Sequence, residues 1–277
     1  AWALRFPSLL ASSGVVVVLH RLFRRMDPTT GLLAAGLYAL AATGVHPGAD
    51  ATPYAFVALV SVGSIEFMIQ ALERGTQRSW FLYVGSLVAG FLCHYTVAIF
   101  GVAQLVALAV FVSRRRSDQR WAIAGRRAIR AGLVLAPLPL GWSFLHFASF
   151  TSVALDTRLF ASVYPLDPGR WAFLGEFATV TASGAPADGL GPALLGFGFA
   201  GLGLNAVLRR DGQLGMLLLV AGAAWAGGTF FFHANLVDHL DGRVFYGFRW
   251  VSWYAPLLLG CGAAGALSVL RGDRAER

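Results

Sequence analysis

The chain contains no lysine; all twenty-two of its basic residues are arginine. Charge of either sign is scarce, at 13% of 277 residues. A soluble domain carries about a quarter charged residues, so an ordinary soluble globule is excluded. Cysteine is nearly absent. Cys93 and Cys261 both lie inside or at the edge of apolar stretches, which excludes a disulfide framework. No Gly-rich phosphate loop follows a strand, so no nucleotide site is expected. There is no internal repeat, low-complexity run or second domain, and residues 1–277 read as one domain.

What remains is apolar. Hydrophobic residues make up 57% of the chain and the mean hydropathy is +0.64. Nine stretches have the length and character of membrane spans, at about 8–22, 31–46, 54–72, 79–93, 96–113, 131–150, 190–208, 214–232 and 250–270. The first is short. The fourth and fifth meet at Cys93-His94-Tyr95-Thr96 and predict a tight helical hairpin. The expected fold is an all-α polytopic transmembrane bundle.

The arginines give this bundle an orientation. Seventeen of the twenty-two fall in alternate gaps: at 21, 24 and 25, at 74 and 78, from 114 to 130, at 209 and 210, and from 271 to 277. The other gaps hold only Arg5, Arg158, Arg170, Arg243 and Arg249. By the positive-inside rule the Arg-rich gaps face the cytoplasm. The segments 1–7, 47–53, 94–95, 151–189 and 233–249 then lie outside. The net charge of +8 and pI of 10.3 point to anionic lipid rather than nucleic acid, because the cations sit at span ends and not on one basic face. Residues 114–130, with Trp121 and Ile123 among the arginines, read as an amphipathic segment on the inner leaflet. Nine crossings carry residue 1 outside. A chain that starts outside and in register implies a further span upstream.

Polar groups held at a membrane are costly and mark sites. Asp50 is the only carboxylate in the 47–53 segment; Thr52-Pro53 suffices to start the third span, which leaves Asp50 without a structural duty. His94 and Tyr95 occupy the hairpin tip, as ligand contacts or as interfacial anchors. Arg249, at the entrance of the last span, is either a snorkelling side chain or a fixed cation for a phosphate. Glu66 lies within the third span, where it can reach the interface, pair with Gln70 or relay a proton. His233, Asp238, His239 and Asp241 fall within nine residues but match no closed zinc spacing. That loop reads as solvated, with a divalent metal the weaker alternative; no cofactor is expected. In the 151–189 segment, residues 169–180 predict a short interfacial helix with Trp171, Leu174 and Phe177 on one face.

Several segments match a known pattern in order and spacing. Leu4-Arg5-Phe6-Pro7-Ser8-Leu9-Leu10 opens it, followed by Leu22-Phe23-Arg24-Arg25, Thr30-Gly31-Leu32-Leu33 and Asp50-Ala51-Thr52-Pro53-Tyr54-Ala55. Ala71-Leu72-Glu73-Arg74, Trp80 and Cys93-His94-Tyr95-Thr96 continue it, and the segment from Arg249 to Pro256 fits its end. The chain resembles the polyprenyl-phosphate-sugar-dependent membrane glycosyltransferases of the C superfamily, which include protein O-mannosyltransferases and lipid A aminoarabinose transferases. The resemblance implies sugar transfer from a polyprenyl-phosphate donor to a glycan, lipid or protein acceptor at the outer face of a membrane, as in a bacterial inner membrane. It implies that Arg249 holds the lipid phosphate, that His94, Tyr95 and Tyr54 line the donor groove, and that Asp50 supports the base. The family's principal catalytic Asp stands in a first outside loop that would precede Ala1. Two departures stand out: Thr52 replaces the family's Arg, and Asp50 its Glu. They favour, as the alternative, a non-catalytic relative that binds lipid or scaffolds an assembly. A transporter fits less well, since only Glu66 approaches midplane and no repeat is seen.

Overall fold

A computed structural model describes residues 2–41, 45, 53–94, 97–114, 119–146, 190–233 and 254–271. Every regular element among them is an α-helix. In chain order these are α1 Trp2–Phe23, α2 Pro28–Leu40, α3 Tyr54–Arg74, α4 Gln77–Cys93, α5 Val97–Arg114, α6 Gln119–Leu135, α7 Pro137–Leu145, α8 Leu190–Arg210, α9 Gly212–His233 and α10 Ala255–Leu270. Each of the nine expected spans overlaps one of these helices, and among the described residues the bundle is all-α. Arg5–Phe23, Tyr54–Arg74 and Trp121–Leu145 are long and apolar enough to cross a membrane alone; Val97–Ser113, Gly212–Ala224 and Ala255–Leu270 are shorter apolar helices.

Several boundaries differ from the sequence reading; α2, for one, ends at Leu40 rather than at 46. α1 is not short: it starts before Arg5 and Pro7 and runs for 22 residues. Only about one turn precedes Pro7, so its missing N–H costs a single ladder bond. α2 starts at Pro28 rather than at 31, because Asp27 caps it and Pro stands at its first position. Residues 114–130 and 131–150 do not divide at 130. α6 runs through that boundary, and the break falls after Ala136, where Pro137 and Pro139 supply no backbone donor. The interfacial helix expected at 169–180 lies outside the described residues.

The core forms where α1, α2, α3, α8 and α10 pack together, with Leu19, Leu22, Phe23, Tyr38, Ile65 and Met68 fully buried. α4 packs on α3 and α6, and α5 packs on α9. One face of α6 and α7 remains uncovered: Leu133, Val134, Leu138, Leu140, Phe144 and Leu145 are exposed. In water such a surface would be a liability; in a bilayer it is the lipid-facing side.

Polar contacts between helices tie the bundle together. At the Arg-rich end, Arg271 at the end of α10 donates to both oxygens of Asp27, at 3.1 and 3.2 Å. The same carboxylate accepts from the Thr30 backbone N–H at 3.0 Å and from the Thr30 hydroxyl. Burial pushes the Asp27 carboxyl up, but the bonds from Arg271 and Thr30 outweigh that and hold it well below the usual carboxylate range. A carboxyl depressed in the folded state contributes stability above its unfolded value of about 3.9, and loses it as pH falls below that. Asp27→Ala should cost about 1–2 kcal/mol near neutral pH, from a lost cap and a partly exposed ion pair. Asp27→Asn keeps the cap and should lose less than half of that. Denaturation in mixed micelles at pH 7 and near pH 2 checks both; an equal loss for Asn and Ala would show that the charge dominates.

Mid-bundle, Gln104 of α5 is buried and its Nε2 donates to Ser64 Oγ of α3 at 2.7 Å. The Ser64 hydroxyl donates in turn to the Ser61 carbonyl at 2.9 Å. Gln104 Oε1 is buried without a partner. A hydrogen bond between helices in lipid contributes about 0.6 kcal/mol, while an unpaired buried acceptor costs about 1–3. Gln104→Leu should therefore leave stability unchanged or raise it. A loss above about 1 kcal/mol in the same unfolding assay would refute that balance.

Candidate active site at the Arg-poor end

α3 begins at the Arg-poor end of the bundle and α4 finishes there. The first residue of α3 is Tyr54. Pro53, not Thr52, occupies the N-cap, with no side-chain cap bond. Its φ of −70° is already helical, and its carbonyl accepts from Val57 N–H at 3.0 Å to start the ladder. The expectation that Thr52-Pro53 forms a conventional cap with Pro inside the helix is thus corrected by one position.

His94 ends α4. Its backbone N–H donates to the Gly90 carbonyl at 2.8 Å and its carbonyl accepts from Val97 N–H, the first residue of α5, at 3.1 Å. The main chain on both sides therefore fixes this residue between two helices. Its ring lies 5.5 Å from that of Tyr54, tilted by 49°. Both side chains are half-buried. The structure brings together these two of the five residues singled out from sequence. Asp50, Tyr95 and Arg249 lie outside the described residues, as does the loop beyond His233. Tyr95 directly follows His94 in the chain, and Asp50 stands three positions before Pro53.

Two further aromatic residues reach the same end. Phe91 of α4 meets Trp142 of α7 edge to face, with centroids 5.7 Å apart. Trp142 stacks on His146 at 4.3 Å and 19°. His146 Nδ1 lies 2.9 Å from the Trp142 carbonyl. A carbonyl only accepts, so Nδ1 carries the proton and Nε2 is left for another partner. α4 and α7 both run toward the Arg-poor end. His94 follows Phe91 by three residues and His146 follows Trp142 by four, so the two imidazoles sit at similar depth. Sequence reasoning did not single out Trp142 or His146. A Trp and a His four apart near the Arg-poor end of a span, on one helix face, was the available signal.

Other expectations resolve differently. Glu66 accepts from Gln70 Nε2 at 2.7 Å and from Arg25 Nε at 3.4 Å, while Arg25 Nη1 reaches Glu73 at 2.6 Å. Glu66 has a structural duty at the Arg-rich end, tying α1 to α3. The last helix starts at Ala255 rather than at 250, and deeper than the site. Its Tyr254 hydroxyl reaches the Leu218 carbonyl in the second turn of α9, at 3.5 Å. Among the described residues no three His, Cys, Asp or Glu side chains gather as metal ligands do.

Among the described residues the bundle is all-helical and apolar, and aromatic rings and imidazoles stand at its Arg-poor end. Comparison with protein families places the chain. The sequence model of the family described as dolichyl-phosphate-mannose-protein mannosyltransferase matches residues 1–140, half of the chain. The chain belongs to this mannosyltransferase family. The match runs from α1 into α7 and includes Asp50, Tyr54, His94 and Tyr95; Trp142, His146 and Arg249 lie beyond it. Comparison with curated proteins gives no match. Membership of the mannosyltransferase family implies an integral-membrane glycosyltransferase that takes its sugar from a polyprenyl-phosphate donor.

Proposed function

We propose that the protein transfers a sugar from a polyprenyl-phosphate donor to a glycan, lipid or protein acceptor at the Arg-poor face of its membrane, the outer face of a bacterial inner membrane. The observation that carries this reading is the Tyr54–His94 contact inside the family match. An aromatic ring and an imidazole in contact near the start of one helix and the end of another are groups that suit a lipid-linked phosphate in this reading. Residues 1–277 act as one catalytic domain in this reading.

The chemistry needs a base for the acceptor hydroxyl and cations for the departing phosphate. The bond between the anomeric carbon and the phosphate oxygen breaks as the acceptor oxygen attacks. The phosphate keeps the bonding electrons and leaves on the lipid. Arg249 holds that phosphate, Tyr54, His94 and Tyr95 line the donor groove, and Asp50 supports the base. No cofactor enters these steps. Thr52 in place of the family's Arg favours a second reading, a non-catalytic relative that binds the lipid without turning it over.

The full-length protein in proteoliposomes, supplied with polyprenyl-phosphate mannose, tests the assignment. His94→Ala and Tyr54→Ala should raise KM for the donor severalfold and change kcat less, since they remove groove contacts rather than the base. Unchanged KM in both variants would place the donor groove elsewhere. Donor binding without any turnover by the wild type would establish the non-catalytic reading.

A further inference from the structure

The Arg-rich end carries more cation than its own acids neutralise. Among the described residues, Arg25 pairs with Glu66 and Glu73, and Arg271 with Asp27. Asp211 caps α9 by accepting from the Gln213 and Leu214 N–H groups. No described carboxylate lies within ion-pair distance of Arg74, Arg78, Arg126, Arg127 or Arg130.

Three of these arginines meet at one turn. α3 ends at Arg74. Gly75 reverses the chain with φ 63°, a left-handed conformation that suits glycine. Thr76 caps α4, which carries Arg78 in its first turn. α6 lies against this turn, because Gln77 Nε2 donates to the Arg127 carbonyl at 3.3 Å. Arg127 Nη1 sits 3.5 Å from the point a Cβ on Gly75 would occupy. The guanidinium thus rests over the turn where other residues would place a side chain. The last carbonyls of α3 can offset one cation. The others keep their charge, and Arg74 and Arg78 are exposed.

A second observation specifies the ligand. Along α6 from Arg127 toward the opposite end of the bundle, Val134 lies about two turns on along the same side of the helix and is 56% exposed, and Leu138 beyond it is 54% exposed. Cations at a helix-end turn followed by an uncovered apolar helix face match the two parts of a phospholipid. A guanidinium fork suits its phosphate oxygens, and basic pockets between helix ends are where anionic headgroups bind. We propose that the α3–α4 turn and the α6–α7 segment hold the phosphodiester headgroup of an anionic phospholipid from the leaflet at the Arg-rich end, with Arg74, Arg78 and Arg127 on the phosphate and an acyl chain along Val134 and Leu138. This site is at the opposite end of the bundle from the candidate active site and does not rest on the proposed activity.

The experiment purifies the full-length protein from nanodiscs of phosphatidylcholine and phosphatidylglycerol in equal amounts and counts retained lipids by native mass spectrometry. Each Arg in direct contact with an anionic headgroup contributes roughly fivefold to its affinity. The triple variant Arg74→Gln, Arg78→Gln, Arg127→Gln should retain at least tenfold less phosphatidylglycerol. A control triple, Arg21→Gln, Arg209→Gln, Arg210→Gln, removes as much charge from the same end and should retain it as the wild type does. Equal loss in both triples, or no loss in the first, would overturn the site and leave only a diffuse field. Arg127→Lys should lose part of the retention, since the charge stays and the fork goes. Displacement of the lipid by millimolar inorganic phosphate would also overturn the assignment, in favour of a soluble anion.

Discussion

Arg249→Ala in the full-length protein should slow sugar transfer by about ten- to a hundredfold. A departing lipid phosphate carries about two negative charges. A desolvated charge-assisted contact from a guanidinium is worth about 1.5–3 kcal/mol, and about 1.4 kcal/mol is tenfold in rate. Five arginines depart from the alternate-gap pattern, and of these Arg249 alone has an aromatic residue on both sides, Phe248 and Trp250. Arg249→Lys should recover part of the rate, because the ammonium keeps the charge but loses the planar fork. The measurement is initial transfer rate from a polyprenyl-phosphate sugar at matched expression. Rates equal to wild type in both variants would make Arg249 a snorkelling anchor and move the phosphate site elsewhere.

Gly203→Val should destabilise the bundle by about 3 kcal/mol, the largest structural effect expected from one substitution. α8 and α10 are the most closely packed helix pair. Gly203 and Gly265 form their crossing, where backbone meets backbone. A Cβ on Gly203 would run into the Cys261 carbonyl oxygen and lie 2.7 Å from Gly265 N. A Cβ on Gly265 would likewise strike the Phe199 carbonyl oxygen. Backbone cannot rotate aside as a side chain can, so the helices must separate and lose their contacts. Small residues at helix crossings act in this way in membranes, where water supplies no hydrophobic drive between helices, and overpacking alone costs about 1–3 kcal/mol. Gly201→Val is the matched control: it is one turn-face away on α8, and nothing lies within 4 Å of its Cβ position. The control should cost less than about 1 kcal/mol in the same mixed-micelle unfolding assay. Similar losses at 201 and 203 would mean that helix propensity, not the crossing, sets the effect.

The bundle was legible from sequence because lipid allows little else: an apolar stretch of span length must satisfy its backbone within itself, as a helix. Ends were harder. α2 starts at Asp27-Pro28, a capping signal that stands ahead of the apolar run from residue 31 by which the span was placed. The break at Pro137 was hidden by the change from basic to apolar residues at 130, which marks where lipid begins, not where the helix stops. Glu66 showed its local partner Gln70 in the sequence, whereas Arg25 is 41 positions away. His94 was legible from its place at a hairpin tip, and Tyr54 through the family resemblance. Trp142 and His146 were not, because one aromatic among many in a span gives no sign of its neighbour Phe91, which sits on another helix. The α8–α10 crossing was equally hidden among thirty-three glycines.

The central claim is that a lipid-linked sugar is the donor. Membranes containing the full-length protein should be incubated with labelled polyprenyl-phosphate sugars, beginning with mannose, and in parallel with the corresponding sugar nucleotides. The account predicts conversion of at least one lipid-linked sugar to free polyprenyl phosphate, with the label appearing in an acceptor, and no direct consumption of any nucleotide sugar. Direct consumption of a sugar nucleotide with every lipid-linked sugar left intact would contradict it.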